Sequence, residues 1–245
     1  MRYIKTSAIA LVLNPRCFFP WILKYIYDYR KLKKHSVHQT EFKIKPDYPC
    51  LHDNVSHPRT FSRYINQDSW AFHHVNQAKP DMLVDIGSSR YFVGFAAQIC
   101  RVLYIDIRWV PSNMNNIEYL CADINHMPFS NESIEAISSL PVLEHIGLGR
   151  YRDKLDLYGM DKAAEMLARV LRKNGMLLVS FSTGMDNVIQ FNAHRICTPE
   201  KALAMFNGLK VIDEKYALSD KLIDRQDYDR IGRPYAYGCY RLTKL

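Results

Sequence analysis

The sequence predicts an α/β domain in which helices pack on both faces of a mostly parallel sheet. Short apolar runs alternate with helical patterns over residues 82–206, and two further apolar runs follow at residues 210–218 and 235–243. Alternating strands and helices build a parallel sheet, and a final pair of strands adds an antiparallel one. We therefore expect a doubly wound, seven-stranded sheet with an antiparallel last strand, preceded by an N-terminal helical arm.

Length and charge narrow the class of protein. The chain has 245 residues, 48% of them hydrophobic, which suits one main domain with an extension. The net charge of +8 lies entirely in residues 1–45, because residues 46–245 contain 23 basic and 23 acidic side chains. A domain with balanced charge lacks the basic footprint of a nucleic-acid-binding protein, so no nucleic-acid partner is expected.

The cysteines indicate a reducing compartment and no structural metal. They form no Cys-x-x-Cys pair and do not cluster with histidines, so the sequence predicts neither a disulfide framework nor a zinc site. A cytoplasmic location fits this pattern. The six residues are Cys17, Cys50, Cys100, Cys121, Cys197 and Cys239.

Residues 1–45 form the predicted arm, and residues 46–245 form the main domain. The apolar run at residues 8–13 is far shorter than the ~18 residues of a membrane span. From Cys17 an aromatic-rich pattern places Ile22, Tyr25 and Tyr29 on one helical face, with a basic cluster at residues 30–34. Such a helix can lie on the anionic inner face of a membrane, or the same face can pack on the domain; the sequence leaves both open.

The main domain opens with a predicted helix that ends before Pro80 and a buried strand that ends in the turn Gly87–Arg90. In a doubly wound sheet, ligands bind beyond the carboxyl ends of the strands, near the first strand-to-helix turn. A helix over Phe92–Cys100 follows the turn. The sequence therefore predicts a cofactor site at this turn.

The second predicted strand, Val102–Asp106, ends in an acid 21 residues beyond Asp85. At this position a carboxylate can accept hydrogen bonds from both hydroxyls of a ribose, although an acid at a strand end can also cap the next turn. A third strand at residues 117–120 precedes Asp123, and a fourth at residues 134–140 precedes a loop at residues 141–151. These segments place further polar groups at the same edge of the sheet.

A predicted helix over Asp161–Leu171 is followed by two cations and by Gly175, which we expect to be its left-handed cap. A strand at Met176–Phe181 and a helix at Pro199–Phe206 complete the alternation. The domain thus continues in the same strand-and-helix order to its final strand pair.

The turn after the first strand departs from the glycine pattern of dinucleotide-binding proteins. Gly87 is present, but Ser89 and Tyr91 stand where further glycines would be expected. Side chains at both positions hinder the close approach of a pyrophosphate, so NAD and FAD are disfavoured. S-adenosylmethionine has no phosphate and is compatible with larger residues there.

Several segments together resemble the ordered motifs of the Rossmann-like class I S-adenosylmethionine-dependent methyltransferases. They are Val84–Gly87, Asp106, Ala122-Asp123, Ser139–His145 and Arg169–Gly175. More narrowly, Leu148–Tyr151 and Phe191–Arg195 resemble a bacterial branch associated with surface polysaccharide and lipopolysaccharide synthesis. The resemblance covers residues 48–218 and implies that S-adenosylmethionine contacts Asp85, Gly87, Ser88, Ser89, Arg90, Asp106, Ile107, Asp123 and Ile124.

Methyl transfer to a hydroxyl needs alignment and a base. Glu144 and His145 follow the fourth strand and His194 follows the fifth, so all three are candidate catalytic residues, with His145 the first choice as base. A histidine at such a position can equally be structural. Candidate acceptor contacts are Arg150, Tyr151, Asn192 and Arg195, of which the arginines suit an acidic or phosphorylated group and can also form surface salt bridges.

The leading hypothesis is therefore a cytoplasmic methyltransferase that O-methylates a cell-envelope glycan or its activated-sugar precursor. The loop after the fourth strand lacks an Asn-Pro-Pro-Tyr type of motif, which disfavours methylation of an amide-like nitrogen. Two alternatives stay open: a non-catalytic module that acts as a membrane-associated partner in glycan assembly, and an NAD(P)-dependent sugar oxidoreductase.

Overall fold

The computed structural model describes residues 15–35, 46, 62–109 and 113–245. It divides into two compact units, Met1–Arg59 and Thr60–Leu245. The first unit contains helix α1 (Pro15–His35), whose Leu23, Tyr27 and Leu32 side chains are exposed. The apolar run at residues 8–13 lies outside the described residues, and the arm boundary predicted at residue 45 stays a prediction.

The second unit is built on a mostly parallel sheet with helices on both faces, as predicted. Its strands are β1 (Met82–Ile86), β2 (Arg101–Asp106), β3 (Ile117–Cys121), β4 (Ile134–Ser139), β5 (Leu171–Thr183), β6 (Val188–Gln190), β7 (His194–Ile196), β8 (Leu209–Ala217), β9 (Leu222–Asp224) and β10 (Ala236–Lys244). Among the described residues, β6 and β7 form a separate hairpin, and the other eight strands have the order β3-β2-β1-β4-β5-β10-β8-β9.

The last strand is antiparallel, as expected, and it lies inside the sheet. β10 pairs antiparallel with both β5 and β8, so β8 runs parallel to β5. The strand beyond the predicted seven is β9, which has three residues and pairs antiparallel with β8 at the edge. Neither β9 nor the β6–β7 hairpin was predicted, since three-residue strands carry too little apolar periodicity to be recognised.

Helices cover both faces of the sheet and, among the described residues, help to enclose two large hydrophobic cores and a small cluster around Tyr216 and Tyr228. They are α2 (Arg63–Ala78), α3 (Arg90–Ala96), α4 (Gly159–Val170), α5 (Pro199–Ala204) and α6 (Arg225–Arg230). One core includes residues of α4 and α5, and the other includes residues of α2 and α3. The central strands are buried on both faces, which explains why they read as continuous apolar runs.

The cap predicted at Gly175 is wrong. Helix α4 ends at Val170, and Gly175 lies within β5. The left-handed residue is Asn174, with φ 56°. A Cβ atom on Gly175 would come within 2.8 Å of the Arg172 carbonyl oxygen and 3.0 Å of the Glu135 carbonyl oxygen. The glycine therefore permits the close approach of β5 to β4, and it does not terminate a helix.

A smaller difference concerns the bounds of one helix. The helix predicted over Phe92–Cys100 begins at Arg90 and ends at Ala96, after which the chain turns into β2. Within the described parts of the chain, no helix is both long enough and apolar enough to cross a membrane.

Candidate active site

A cleft lies at the carboxyl edge of the sheet, where β1 to β4 end. β1 pairs parallel with β2 and β4, and β2 pairs parallel with β3, so the loops after all four strands meet at this edge. The cleft is lined by Ile86, Gly87, Ile105, Asp106, Ile107, Arg108, Ala122, Asp123, Ile124, Pro141, Val142, His145, Ile146, Tyr151 and Asp153. Seven of these residues are predicted site residues: Gly87, Asp106, Ile107, Asp123, Ile124, His145 and Tyr151.

The turn after β1 is held rigidly by hydrogen bonds from beneath. Ser138 Oγ and the Ser88 backbone N–H donate to the Asp85 carboxylate at 2.5 and 3.1 Å, and Leu140 N–H donates to Ser88 Oγ at 3.0 Å. Burial raises the pKa of Asp85 to about 7. Asp85 and Ser88 are buried and do not line the cleft, so they position the turn from behind it.

Gly87 is the residue of this turn that faces the cleft. Its φ of +66° lies in the left-handed region, and a Cβ atom there would come within 3.3 Å of both methyl groups of Val142. Glycine thus keeps the backbone open towards the cleft. This opening is the feature that a ligand lying along the turn requires.

The side chains that replace the expected glycines point away from the cleft. Ser89 caps helix α3 by accepting from Phe92 N–H at 3.1 Å, and its hydroxyl donates to Asp68 on α2 at 2.6 Å. Tyr91 is 82% exposed, and Arg90 is also exposed. Neither Ser89 nor Tyr91 lines the cleft, so neither one blocks it.

Asp106, at the end of β2, is paired with an arginine that the sequence analysis missed. Arg108 donates to Asp106 from its backbone N–H and Nε to Oδ1, and from Nη2 to Oδ2, at 2.8, 3.0 and 2.8 Å. Burial acts to raise the pKa of Asp106, but these hydrogen bonds outweigh it and hold the pKa below its ordinary value. The Arg108 guanidinium also lies 4.6 Å from the Tyr151 ring centroid.

The far wall of the cleft is apolar. Asp123 accepts from Asn125 N–H at 2.9 Å and thereby caps a short 3-10 helix, Ile124–His126. Ile124 is buried, while Ile107 is 41% exposed at the mouth of the cleft. A few polar groups set among apolar side chains are typical of a small-molecule site.

His145 lines the other side of the cleft. Its Nδ1 lies 2.7 Å from the Ala193 carbonyl oxygen, which places the proton on Nδ1 and leaves Nε2 as the accepting nitrogen. Burial lowers the pKa of His145 to about 4, so the ring is neutral near pH 7. His194 lies outside the cleft lining, with its ring centroid 6.2 Å from that of His145.

Glu144 is buried directly beside His145. Its Oε1 accepts from the backbone N–H and the hydroxyl of Ser182 at 3.0 and 3.1 Å, and no described group hydrogen-bonds its Oε2. Burial raises the pKa of Glu144 to about 7. The Ser182 hydroxyl is also 2.9 Å from the Tyr235 hydroxyl, so a chain of hydrogen bonds runs from Glu144 to Tyr235.

Tyr235 is the second residue that the sequence analysis missed. Its ring lies 6.0 Å from the His194 ring, and the Arg63 guanidinium lies 5.0 Å from its centroid. Tyr235 and Ser182 are 53 residues apart, and they meet because β10 pairs with β5. A local sequence motif could not have revealed this contact.

The predicted acceptor contacts occupy different environments. Arg150 is exposed and donates to the Ala193 carbonyl oxygen at 2.9 Å, and Asn192 is exposed in the hairpin turn with φ 57°. Arg195 is only 7% exposed and donates to the carbonyl oxygens of Ile146, Asp156 and Leu157 at 2.6, 3.3 and 3.2 Å. The expectation that Arg195 anchors an acidic acceptor is therefore replaced by a structural role, the tethering of the loop before α4 to the hairpin.

Comparison of the sequence with known families and curated proteins gives one match. A family model described as "Caenorhabditis protein of unknown function, DUF268" matches residues 108–228, just under half of the chain. A comparison with curated proteins gives no significant match. Neither comparison identifies the bacterial surface-polysaccharide branch that the sequence motifs resemble.

Solved structures with this fold include several methyltransferases. The N-methyltransferase NodS from Bradyrhizobium japonicum WM9, in complex with S-adenosylhomocysteine, has a TM-score of 0.52 at 13% identity, covering 88% of this chain and 97% of that one. Geranyl diphosphate C-methyltransferase from Streptomyces coelicolor A3(2), in complex with Mg²⁺, geranyl diphosphate and S-adenosylhomocysteine, has a TM-score of 0.53 at 13% identity, covering 73% and 78%.

The fold is also shared with a protein described by a different reaction. The [4+2]-cyclase SpnF has a TM-score of 0.52 at 14% identity, covering 72% of this chain and 80% of that one. The second unit thus has the Rossmann-like methyltransferase fold. At these identities the likeness establishes the fold alone, because a fold hosts many reactions.

Proposed function

We propose that this protein is a class I S-adenosylmethionine-dependent methyltransferase. One observation carries the proposal: the open glycine turn at Gly87 and the strand-end acids Asp106 and Asp123, from three different strands, converge on one cleft. The spacing of these residues along the chain suggested this arrangement, and their contacts are compatible with it.

The residues of the cleft fit the proposed cofactor. Gly87 leaves room along the first turn that any Cβ atom would fill. Asp106 would hold the ribose, and Ile107, Ile124 and Ile146 would provide apolar walls beside Asp123. When bound, S-adenosylmethionine supplies an electrophilic methyl group on a sulfonium sulfur.

We infer that the acceptor atom is a hydroxyl oxygen, and two groups of this chain could take its proton. His145 Nε2 is an accepting nitrogen at the cleft. Alternatively, the acceptor proton passes to the Tyr235 oxygen while the Tyr235 proton passes to Ser182 Oγ and the Ser182 proton to Glu144 Oε1. Glu144, with a pKa of about 7, is much closer to neutral pH than His145, with a pKa of about 4, and is the better terminal base.

We propose a cell-envelope glycan or its activated-sugar precursor as the acceptor, with the protein acting in the cytoplasm. This choice rests on the likeness of Leu148–Tyr151 and Phe191–Arg195 to the surface-polysaccharide branch. The exposed Arg150 beside Tyr151 supplies a cation suited to an anionic precursor.

Thermal unfolding with added nucleotides tests the proposed activity. A ligand present at 100 times its dissociation constant stabilises the folded state by about 2.7 kcal/mol. We expect S-adenosylmethionine and S-adenosylhomocysteine to raise the unfolding temperature and NAD(P)H to leave it unchanged. If neither S-adenosylmethionine nor S-adenosylhomocysteine raises the unfolding temperature, the enzyme proposal is rejected.

The likeness to a [4+2]-cyclase keeps a second candidate open, a protein of this fold that transfers no methyl group. In that case the chain could serve as a membrane-associated partner in glycan assembly. Binding of S-adenosylmethionine without release of S-adenosylhomocysteine, in the presence of fractionated envelope glycans, would favour this candidate.

An NAD(P)-dependent sugar oxidoreductase is a weaker alternative. The sequence contains four Tyr-x-x-x-Lys spacings, which are Tyr27–Lys31, Tyr29–Lys33, Tyr158–Lys162 and Tyr240–Lys244. None of these residues is among those that line the cleft, and Lys162 pairs with Asp156. Stabilisation by NAD(P)H in the unfolding experiment would revive this reading.

A further inference from the structure

Two segments at the mouth of the cleft carry exposed apolar side chains. They are the loop of residues 150–158 and the hairpin segment of residues 188–191, together called the apolar rim. Its apolar members are Leu155, Leu157, Tyr158, Val188, Ile189 and Phe191, which are 65, 63, 65, 44, 46 and 78% exposed. Adjacent strand residues point to opposite faces, so exposure of both Val188 and Ile189 shows that the hairpin projects from the body of the domain.

The two segments of the apolar rim are tied together. Ile189 pairs with Arg195 in the hairpin, and the Arg195 guanidinium donates to the carbonyl oxygen of Leu157 at 3.2 Å. A second tie joins the Arg150 guanidinium to the Ala193 carbonyl oxygen at 2.9 Å. The two segments are therefore adjacent on the domain.

The charges of the apolar rim are mainly positive. Arg150, Arg152 and Lys154 are exposed, and they alternate with the apolar residues of the loop. The two loop acids face inward or are paired: Asp153 accepts from the backbone N–H groups of Gly147, Gly149 and Tyr151, and Asp156 pairs with Lys162. On the hairpin side, Asp186 is an exposed acid beside the rim.

Exposed apolar residues interleaved with cations match the chemistry of an anionic bilayer. Leucine, tyrosine and phenylalanine side chains enter the headgroup region, while arginine and lysine reach the lipid phosphates. We propose that the apolar rim docks on an anionic lipid membrane, with the mouth of the cleft next to the bilayer. If the proposed function holds, the acceptor would then be an amphiphile that reaches the cleft from the membrane.

Vesicle binding by the full chain tests this docking surface without any enzyme assay. We expect co-sedimentation with mixed phosphatidylglycerol–phosphatidylcholine vesicles and little with pure phosphatidylcholine. Each cation near an anionic surface contributes about 1 kcal/mol, a factor of about five, so the double variant Arg152→Gln/Lys154→Gln should bind roughly 25-fold more weakly. Phe191→Ser should also weaken binding, because it removes apolar contact with the bilayer.

Three matched controls separate the apolar rim from other surfaces. Lys173→Gln/Lys210→Gln makes the same charge change at the amino ends of β5 and β8, and Val211→Ser removes an exposed apolar side chain from β8; both should bind as the wild type does. Arg30→Gln/Lys34→Gln makes the same charge change on α1. An unchanged unfolding temperature shows that each variant is folded.

Each outcome decides the proposal. Weakened binding of the rim variants, with unchanged binding of Lys173→Gln/Lys210→Gln and Val211→Ser, supports it, whether or not the α1 variant also binds less. Failure of the wild type to bind anionic vesicles overturns it, as does loss confined to the α1 variant. A change in oligomeric state on Phe191→Ser, without vesicle binding, would instead assign the rim to a second copy of the chain. None of these results depends on cofactor binding, so they are independent of the proposed methyl transfer.

Discussion

The two halves of the candidate active site are built differently. In the cofactor half, the polar side chains around Gly87 are paired: Asp85 with Ser88 and Ser138, and Ser89 with Asp68. In the acceptor half, Glu144 Oε2 is buried without a described hydrogen bond, and His145 is half-buried and neutral near pH 7. A fully bonded turn is a preformed cradle, whereas unsatisfied buried groups are a sign of chemistry.

The difference suggests separate roles, one for holding a cofactor and one for handling a proton. If the roles are separate, changes in one half should leave the other half's measurement unaltered. Variants in each half test whether the two roles are separate.

The largest effect is expected for Tyr235→Phe. The variant removes the hydroxyl that connects the acceptor to Ser182 and Glu144, so methyl transfer to a hydroxyl acceptor should fall by about 100-fold or more. The affinity for S-adenosylhomocysteine should not change, because Tyr235 does not line the cofactor cleft. Release of S-adenosylhomocysteine measures the first quantity and isothermal calorimetry the second; an equal loss in both would show that Tyr235 only supports the fold.

Glu144→Gln should change the pH dependence of stability. Because the folded pKa of Glu144 is raised from 4.5 to about 7, its stabilising contribution is complete below pH 4.5 and is lost as the pH rises through 7. The wild type should therefore lose about 3 kcal/mol more than the variant between these pH values. Urea unfolding across this range tests the difference, and parallel curves for the two proteins would contradict a buried, ionising Glu144.

The contribution of His145 has the opposite sign. Its folded pKa is lowered from 6.5 to about 4, so its contribution is complete above pH 6.5 and is lost as the pH falls through 4. The effect of Glu144 between pH 4.5 and 7 should therefore be read from the difference in the free energy of unfolding between the wild type and Glu144→Gln. The contributions of His145 and Asp85 are common to both proteins and cancel in this difference.

A pair of glycine variants tests the cofactor half. Gly87→Ala places a Cβ atom in the left-handed region and within 3.3 Å of Val142, so we expect a loss of about 2 kcal/mol in stability and weaker binding of S-adenosylhomocysteine. Gly94→Ala is the control, since Gly94 lies within α3 and its Cβ atom would make an ordinary 3.5 Å contact with the Met114 side chain, so the change should stabilise the protein by about 0.5–1 kcal/mol. Equal affinity of the two variants for S-adenosylhomocysteine would show that the turn at Gly87 does not contribute to cofactor binding.

Arg108→Ala should have a smaller effect of the opposite sign. The Arg108 guanidinium occupies both carboxylate oxygens of Asp106, and its side chain is 55% exposed, so the pair is worth about 1 kcal/mol or less. Freeing Asp106 should strengthen cofactor binding by up to about fivefold. Calorimetry at two ionic strengths checks this, and weaker binding would show that Arg108 itself contacts the cofactor.

The two halves also differ in how far the sequence predicted them. The cofactor half depends on residues at strand ends, and Gly87, Asp106 and Ile124 follow apolar runs whose ends are visible in the sequence. The role of Ser89 was not predictable, because its partner Asp68 comes from the preceding helix. The interpretation of Ser89 as an obstacle considered the size of its side chain. It did not consider the direction in which that side chain points.

The acceptor half depends on contacts between distant segments. Tyr235 reaches Ser182 through the pairing of β10 with β5, and Arg195 of the hairpin reaches Leu157 in the loop before α4. The residue type alone predicted that Arg195 binds an acidic group. In the structure Arg195 is buried, and its guanidinium donates to backbone carbonyl oxygens. Such roles follow from tertiary packing, which no local pattern of residues encodes.

Amide hydrogen exchange with and without S-adenosylhomocysteine tests directly whether this cleft holds the cofactor. We expect slower exchange in the peptides that contain residues 86–89, 106–108 and 122–125, where three strands end at the cleft. Exchange in β8 and α6, away from the cleft, should not change. Slower exchange confined to other segments, or no change with saturating ligand, would contradict the assignment of this cleft as the cofactor site.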